Sequence, residues 1–327
     1  MRFARSGSAR SENSTVVRSL ARSRTAVRIA RAALQTAYLV SEELGTGLAE
    51  RWFTTPRRHQ RPVRERGVLA RAHRFSFDVT LSAPFHRGRT HRLAAWRWGI
   101  GPTVLLVHGW EGRGSQLGAF VDPLVAAGMS VVTFDAPGHG NSPDDRLYLT
   151  DHADCVRAAI SAVGPVYAVV AHSFGAAAVL VAYARGAVEP ARTVLISPNA
   201  VIEDAIARFG DVVGLDREDL RRLEHQIGEH AGAPLDSLAL DRLVAGREGA
   251  LLVIHDRDDR EVPSSHGERL AAVWPNATLL STSGLGHRKI LRDPHVLARA
   301  TAHVAHGIPP ARSDLVREVD RSLDDPA

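Results

Sequence analysis

From residue 72 onward, short unbroken apolar runs alternate with stretches of helical period. That alternation limits the fold more than any other feature of the chain. The runs at 103–107 (TVLLV), 130–134, 166–171, 193–196, 250–254 and 277–280 are too short for buried helices. They also lack the in–out alternation of a strand with one wet face. Strands of this kind must be covered on both sides, which favours parallel pairing. Helical segments at 116–127, 151–163 and 174–185, closed by Gly128, Gly164 and Gly186, supply the cover. An antiparallel pair at 73–79 and 92–98 opens the series. The expected architecture is α/β, a mostly parallel sheet with helices on both faces.

Composition agrees with a globular chain. Of 327 residues, 44% are hydrophobic and 24% charged. A compact part of this size buries roughly three quarters of its unfolded surface. The single cysteine, Cys155, excludes an intrachain disulfide and any zinc site built from several thiolates. It reads as a small core residue. The net charge of +5 conceals an asymmetry. Residues 1–100 hold 20 Arg and 6 acidic residues, net +14, so the remainder is net −9.

The first 40 residues hold eight Arg, six Ser and one acid, Glu12. From about residue 24, Arg24, Arg28, Arg31 and Gln35 share one helical face and apolar residues take the other. The favoured reading is a disordered start followed by a helix docked on the main body. A helix on an anionic membrane surface and a transit peptide are the other readings. The apolar run is too short to span a bilayer. Basic charge without a binding motif or interleaved aromatics gives no nucleic-acid site. Residues 51–71, with Pro56, Pro62 and seven Arg, read as an extended connector. About 53 residues separate the strands at 193–196 and 250–254, far more than a crossover needs. Helical in tone at 216–230 and 236–245, they are expected to cap one end of the sheet and shape a pocket.

Ala171-His172-Ser173-Phe174-Gly175 sits between a buried strand and an Ala-rich helix, the setting in which a sharp turn exposes a nucleophile. Small residues are needed two before and two after the serine, and Ala171 and Gly175 provide them. A serine that merely caps a helix is the simpler alternative. His108-Gly109-Trp110 follows the 103–107 strand. The backbone N–H groups of Trp110 and Phe174 are candidates for an oxyanion hole. A serine needs a base, and the base an orienting carboxylate. Among 16 histidines, His287 stands out in a Gly-rich turn after the last strand. Asp256, Asp258 and Asp259 compete as the acid; Asp259, three residues before Val262-Pro263, is preferred. Asn199 and Glu203 are more remote alternatives. His108, His172 and His255 read as structural, and Trp96, Trp98 and Trp274 as packing, while Trp110 could line the pocket.

The pieces LLVHGW, VVTFDAPGHGNS, VVAHSFGAA, LLVIHDRDDREVP and GLGH, in that order across roughly residues 75–307, resemble the α/β-hydrolase superfamily, most closely its esterase-like serine hydrolases. Ala171 departs from the usual glycine. The resemblance implies an α/β-hydrolase fold, to which the pattern of the chain adds a small helical cap insertion and an N-terminal helical arm that lies outside the resemblance. It implies a triad of Ser173, Asp259 and His287, and an oxyanion hole at Trp110 and Phe174. Asp135, Gly138 and Gly140 would shape a turn. No cofactor and no metal are implied.

The expected division is a basic arm at 1–71 (amphipathic helix plus connector), an α/β-hydrolase domain at 72–307 with cap insertion 198–249, and a C-terminal tail at 308–327. The expected activity is cleavage of a small-molecule carboxylic ester through an acyl-enzyme. An acyltransferase or thioesterase would use the same triad. A non-catalytic, membrane-associated hydrolase-fold binding protein is the reading from another class. A cytoplasmic location is expected, with the N-terminal helix as a candidate peripheral membrane contact and no nucleic-acid partner.

Overall fold

The structure is a computed structural model and describes residues 24–307. The expected disordered start of the arm and the tail at 308–327 lie outside the described residues. Three helices open the described chain: α1 (Arg24–Val40), α2 (Glu42–Thr54) and α3 (Val63–Ala70). The strands β1 (His73–Thr80), β2 (Thr90–Trp98) and β3 (Thr103–Val107) follow. After them come α4 (Val121–Ala126), β4 (Ser130–Phe134), α5 (Leu149–Val163) and β5 (Val166–His172). The second half holds α6 (Phe174–Ala184), β6 (Arg192–Ile196), α7 (Ile202–Val213), α8 (Arg217–Ala231) and α9 (Leu240–Val244). It ends with β7 (Ala250–Asp256), α10 (Ser264–Val273), β8 (Ala277–Thr282), α11 (Gly286–Lys289) and α12 (Pro294–Ala305).

The eight strands form one sheet in the order β1-β2-β4-β3-β5-β6-β7-β8. β1, β2 and β4 pair antiparallel, and every later pairing is parallel. Alternate residues of the inner strands feed two separate cores. Leu105 and Val107 of β3 join α5 and α6 on one face. Val104 and Leu106 join Phe120, Leu124 and the apolar side of α12 on the other. This explains the unbroken apolar runs of β3 to β7, which are buried on both faces; β8, expected to be covered likewise, is the edge strand and stays largely exposed. The chain leaves β3 toward β4 on one side and returns to β5 on the other. The loops after β3 and β5 therefore part, and such a switch point opens a crevice at the carboxyl edge.

The expected helix at 116–127 is split into a 3-10 stretch, Gly114–Phe120, and the short α4. Pro123 has no N–H to continue one uninterrupted α-helix. Gly114 lies so close to Thr133 and Phe134 that a side chain there would collide. The insertion is helical as expected, but it begins with a helix, α7, that lies outside the two stretches anticipated.

Residues 51–71 differ from the extended connector expected. Their first four complete α2, and eight more form α3, whose Glu65 is buried. Glu65 binds the Arg113 guanidinium through two contacts of 2.6 and 2.9 Å and accepts the Ser115 hydroxyl at 2.8 Å. Only the stretch between α2 and α3 is irregular, and its arginines are engaged. Arg57 pairs with Glu111, Arg61 with Asp135, and Arg58 donates to the carbonyls of Gly140, Ser142 and Asp144.

The α1 helix is amphipathic, with Leu34 and Ala37 buried. Arg31 donates to the Asp211 and Val212 carbonyls at the end of α7, where helical carbonyls lack partners of their own. Ile29, Leu39 and Val40 stay exposed. Among the described residues, no helix is long and apolar enough to cross a membrane.

Removing one member of a buried ion pair leaves the other charge unpaired. Glu65→Ala should therefore lower stability by about 3–5 kcal/mol. Urea unfolding checks this. A loss under 1 kcal/mol would show that α3 is not a structural part of the body.

Candidate active site

Ser173 sits between β5 and α6 with φ 56° and ψ −120°, a conformation that L-residues rarely adopt. Such strain costs about 1–3 kcal/mol and persists only where the surroundings enforce it. Here the Ser173 N–H donates to Ile196 O, and Ser173 O accepts from Asn199 N–H. Gly175 fixes the approach of helix to sheet, because a Cβ there would overlap the His108 carbonyl. Ala171 is fully buried, consistent with the need for a small residue before the turn.

The Ser173 Oγ lies 2.9 Å from His287 Nε2, and His287 Nδ1 lies 2.7 Å from Asp259 Oδ2. Asp259 Oδ1 also accepts the N–H groups of Glu261 and Val262. Burial would push this carboxyl up. Hydrogen bonds from His255, His287 and the Val262 N–H outweigh it and hold Asp259 well below the usual carboxylate range. Ionised Asp259 can only accept, so Nδ1 of His287 carries the proton and Nε2 offers its lone pair to the serine hydroxyl.

The structure thus brings Ser173, His287 and Asp259 together. The competing aspartates have a different position. Asp256 accepts the Thr282 hydroxyl and the N–H groups of Asp258, Leu285 and Gly286; Asp258 accepts the Gly284 N–H. Both brace the turn that carries His287 and neither bonds its ring. Asn199 lines the pocket and Glu203 lies on α7. His287 Nδ1 points to Asp259 instead.

Trp110 and Phe174 meet edge to face with ring centroids 5.5 Å apart. Phe174 is the first residue of α6, so its N–H has no helical acceptor. Among the described residues, neither its N–H nor that of Trp110 donates a hydrogen bond. Trp110 does line the pocket. Trp98 and Trp274 pack inside, with indole N–H groups bonded to Val68 O and Gly249 O. Cys155 is buried in α5.

The pocket above Ser173 is mostly apolar. Phe53 of α2, Leu147, Tyr148 and Leu149 before and in α5, Ile202 and Phe209 of α7, Ile227 of α8 and Leu238 form its walls. Arg208 of α7 faces it as well. Its Nε is buried without a hydrogen-bond partner, and no carboxylate lies within 4 Å of it among the described residues. Burial pulls its pKa down. Sequence reasoning missed both Arg208 and Phe53. A single arginine in a charged insertion carries no distinguishing signal, and Phe53 belongs to a segment read as arm.

A model of the alpha/beta hydrolase family matches residues 104–300. The chain belongs to that family. It is 28% identical over 250 residues to the pimeloyl-[acyl-carrier protein] methyl ester esterase of Xanthomonas campestris, covering 64% of this chain and 98% of that one. The corresponding esterase of Stenotrophomonas maltophilia is 29% identical over 253 residues, covering 65% and 96%. Among solved structures, an esterase of Pyrococcus furiosus superposes with a TM-score of 0.57 at 16% identity, covering 78% of this chain and 98% of that one. An esterase of Exiguobacterium antarcticum gives 0.55 at 14%, covering 70% and 99%. These last two likenesses concern the fold.

Four histidines around the site are buried and held neutral. Burial lowers His108 to about 4 and His139 to about 3, and carries His152 and His172 well below their ordinary value. His108 and His139 each receive a backbone N–H on Nε2, from Ala136 and Glu111. His172 Nε2–H holds the His287 carbonyl at 3.0 Å. In the unfolded chain these rings bind protons near pH 6.5; in the fold they do not. Their contribution is intact above about pH 6.5 and is lost as pH falls toward 4. With four groups the slope approaches about 5 kcal/mol per pH unit. Urea midpoints should be flat above about pH 7 and fall steeply below 6. A midpoint unchanged down to pH 5 contradicts this.

Proposed function

We propose that the protein is a serine esterase. The observation that carries the reading is the continuous chain Ser173 Oγ–His287 Nε2, His287 Nδ1–Asp259 Oδ2 at the floor of an apolar pocket. His287 takes the hydroxyl proton as Ser173 attacks the ester carbonyl. Asp259 holds the ring in the required tautomer and stabilises the imidazolium. The N–H groups of Trp110 and Phe174 receive the developing oxyanion. The imidazolium then gives its proton to the departing alcohol. Water, activated by His287, releases the acid from the acyl-enzyme. The tryptophan and phenylalanine rings and the walls from α7 and α8 exclude bulk water and favour an apolar acyl chain.

A fluorophosphonate probe should label the wild type and not Ser173→Ala. Asp259→Asn should lose about 10³–10⁴-fold in turnover. Asp256→Asn should act through the turn, with a smaller loss of turnover and a lower Tm. If the folded wild type is not labelled, the esterase reading fails. If Asp256→Asn is the more damaging change to turnover, the assignment of the acid fails.

Arg208 narrows the substrate. Arg208 is half-buried with an unpartnered Nε, and Asp204 and Asp259 act on it only from beyond 4 Å, so an anionic group on the substrate would supply the close partner its guanidinium lacks. We infer an ester whose acyl or alcohol part bears a carboxylate or phosphate. Arg208→Met should cut the preference for a dicarboxylic monoester over a neutral ester of equal length by roughly 10–100-fold in kcat/KM, the worth of a charge-assisted hydrogen bond. An unchanged ratio removes this inference and leaves the triad reading standing.

A further inference from the structure

We propose that His86, His91 and Asp144, with a water in the fourth position, form a zinc site. The site lies away from the serine, where the β1–β2 connection meets the loop between β4 and α5. His86 ends the 3-10 turn Pro84–His86, and His91 is the second residue of β2. One ligand atom from each of the three residues lies within 4.8 Å of the others. Asp144 Oδ2 is 3.7 Å from His86 Nδ1 and 3.4 Å from His91 Nδ1. Zinc bonds of about 2.0–2.2 Å place tetrahedral ligands roughly 3.3 Å apart, so the two Asp144 separations need to shorten by only a few tenths of an ångström to close on an ion.

Three features ask for a cation there. First, His86 is 1% exposed, yet its Nδ1, the nitrogen that faces Asp144, makes no hydrogen bond. Buried nitrogens of this kind are rare and call for an ion or a water. Second, Asp144 and the fully buried Asp151 face these imidazoles, and among the described residues no Lys or Arg lies within 4 Å of either carboxylate. A divalent ion balances the two negative charges. Third, Asp151 Oδ2 stands 3.1 Å from His86 Nε2, the nitrogen remote from Asp144. That is the position of the outer carboxylate that orients a zinc-bound histidine. Two imidazoles and one carboxylate form a borderline donor set that suits zinc over calcium or magnesium.

Asp144 is well placed for this. It holds φ 79°, and its Oδ1 accepts the Asp145 N–H, leaving Oδ2 turned to the rings. The same loop runs on to Tyr148, a wall of the catalytic pocket whose ring packs 6.2 Å from His86. A bound zinc ties that wall to the edge of the sheet.

The test uses the full chain, stripped with a chelator, dialysed and titrated with zinc chloride. We expect one zinc per chain, held at micromolar or tighter affinity. Hundredfold excess over Kd should raise Tm by roughly 5–10 °C. Cobalt chloride in place of zinc should give the intense visible bands of four-coordinate cobalt. His91→Gln and Asp144→Asn should each weaken zinc binding at least tenfold and abolish the Tm shift. His91 is only partly buried, and Asn tolerates the positive φ at 144, so both variants keep the fold testable. Absence of stoichiometric binding by the wild type overturns the proposal. So does equal binding by the wild type and both variants, which would place the zinc on other histidines.

Discussion

The turn at Ser173 is the constraint from which the rest of the site follows. A non-glycine residue at φ 56° is unfavourable alone, so the surrounding packing must hold it. The sheet does so from both neighbours. On one side, His108 at the end of β3 meets Gly175; on the other, the end of β6 accepts the Ser173 N–H. Both neighbours depend on the strand order that puts β5 between β3 and β6. The same order opens the crevice into which the hydroxyl projects. The fold and the position of Ser173 are therefore one problem with one solution.

The acidic loop after β7 shows how three similar residues divide the labour. Asp256 and Asp258 spend their oxygens on the backbone of the 282–286 turn, and Asp259 reaches past them to the ring of His287. Asp259 is itself fixed by two backbone N–H groups. The imidazole is thus oriented twice: through its ring by Asp259, and through its carbonyl by His172. A ring positioned from both sides has little freedom left to lose, which is where preorganisation has its value.

The strands were readable because double burial removes polar residues from them. Thr103–Val107 and Ser130–Phe134 stand where the apolar runs predict. The residues of the serine turn were readable because close backbone approach leaves few choices at 171 and 175. What stayed hidden was long-range. Nothing in Arg57, Arg58 and Arg61 tells that they neutralise Glu111 and Asp135 and satisfy the carbonyls of the β4–α5 loop. A run of arginine near prolines looks the same whether solvated or engaged. The division of charge at residue 100 was visible; that Arg57, Arg58 and Arg61 tie down the loops after β3 and β4 was not.

Glu50 carries this argument furthest. It is 2% exposed and accepts the Tyr148 hydroxyl, the Gln226 amide and the His230 ring N–H. One carboxylate from α2 thus joins the pocket wall to the cap helix α8. Phe53, less than one turn further along α2, lines the pocket, and its ring meets Phe209 of α7 at 5.4 Å. The pocket is therefore closed by three parts distant in sequence, namely α2, the β4–α5 loop and the insertion. None of them forms it alone. A change in the shape of this pocket need not touch the serine. It can come through Glu50 or Phe53, which set how the cap sits on the sheet.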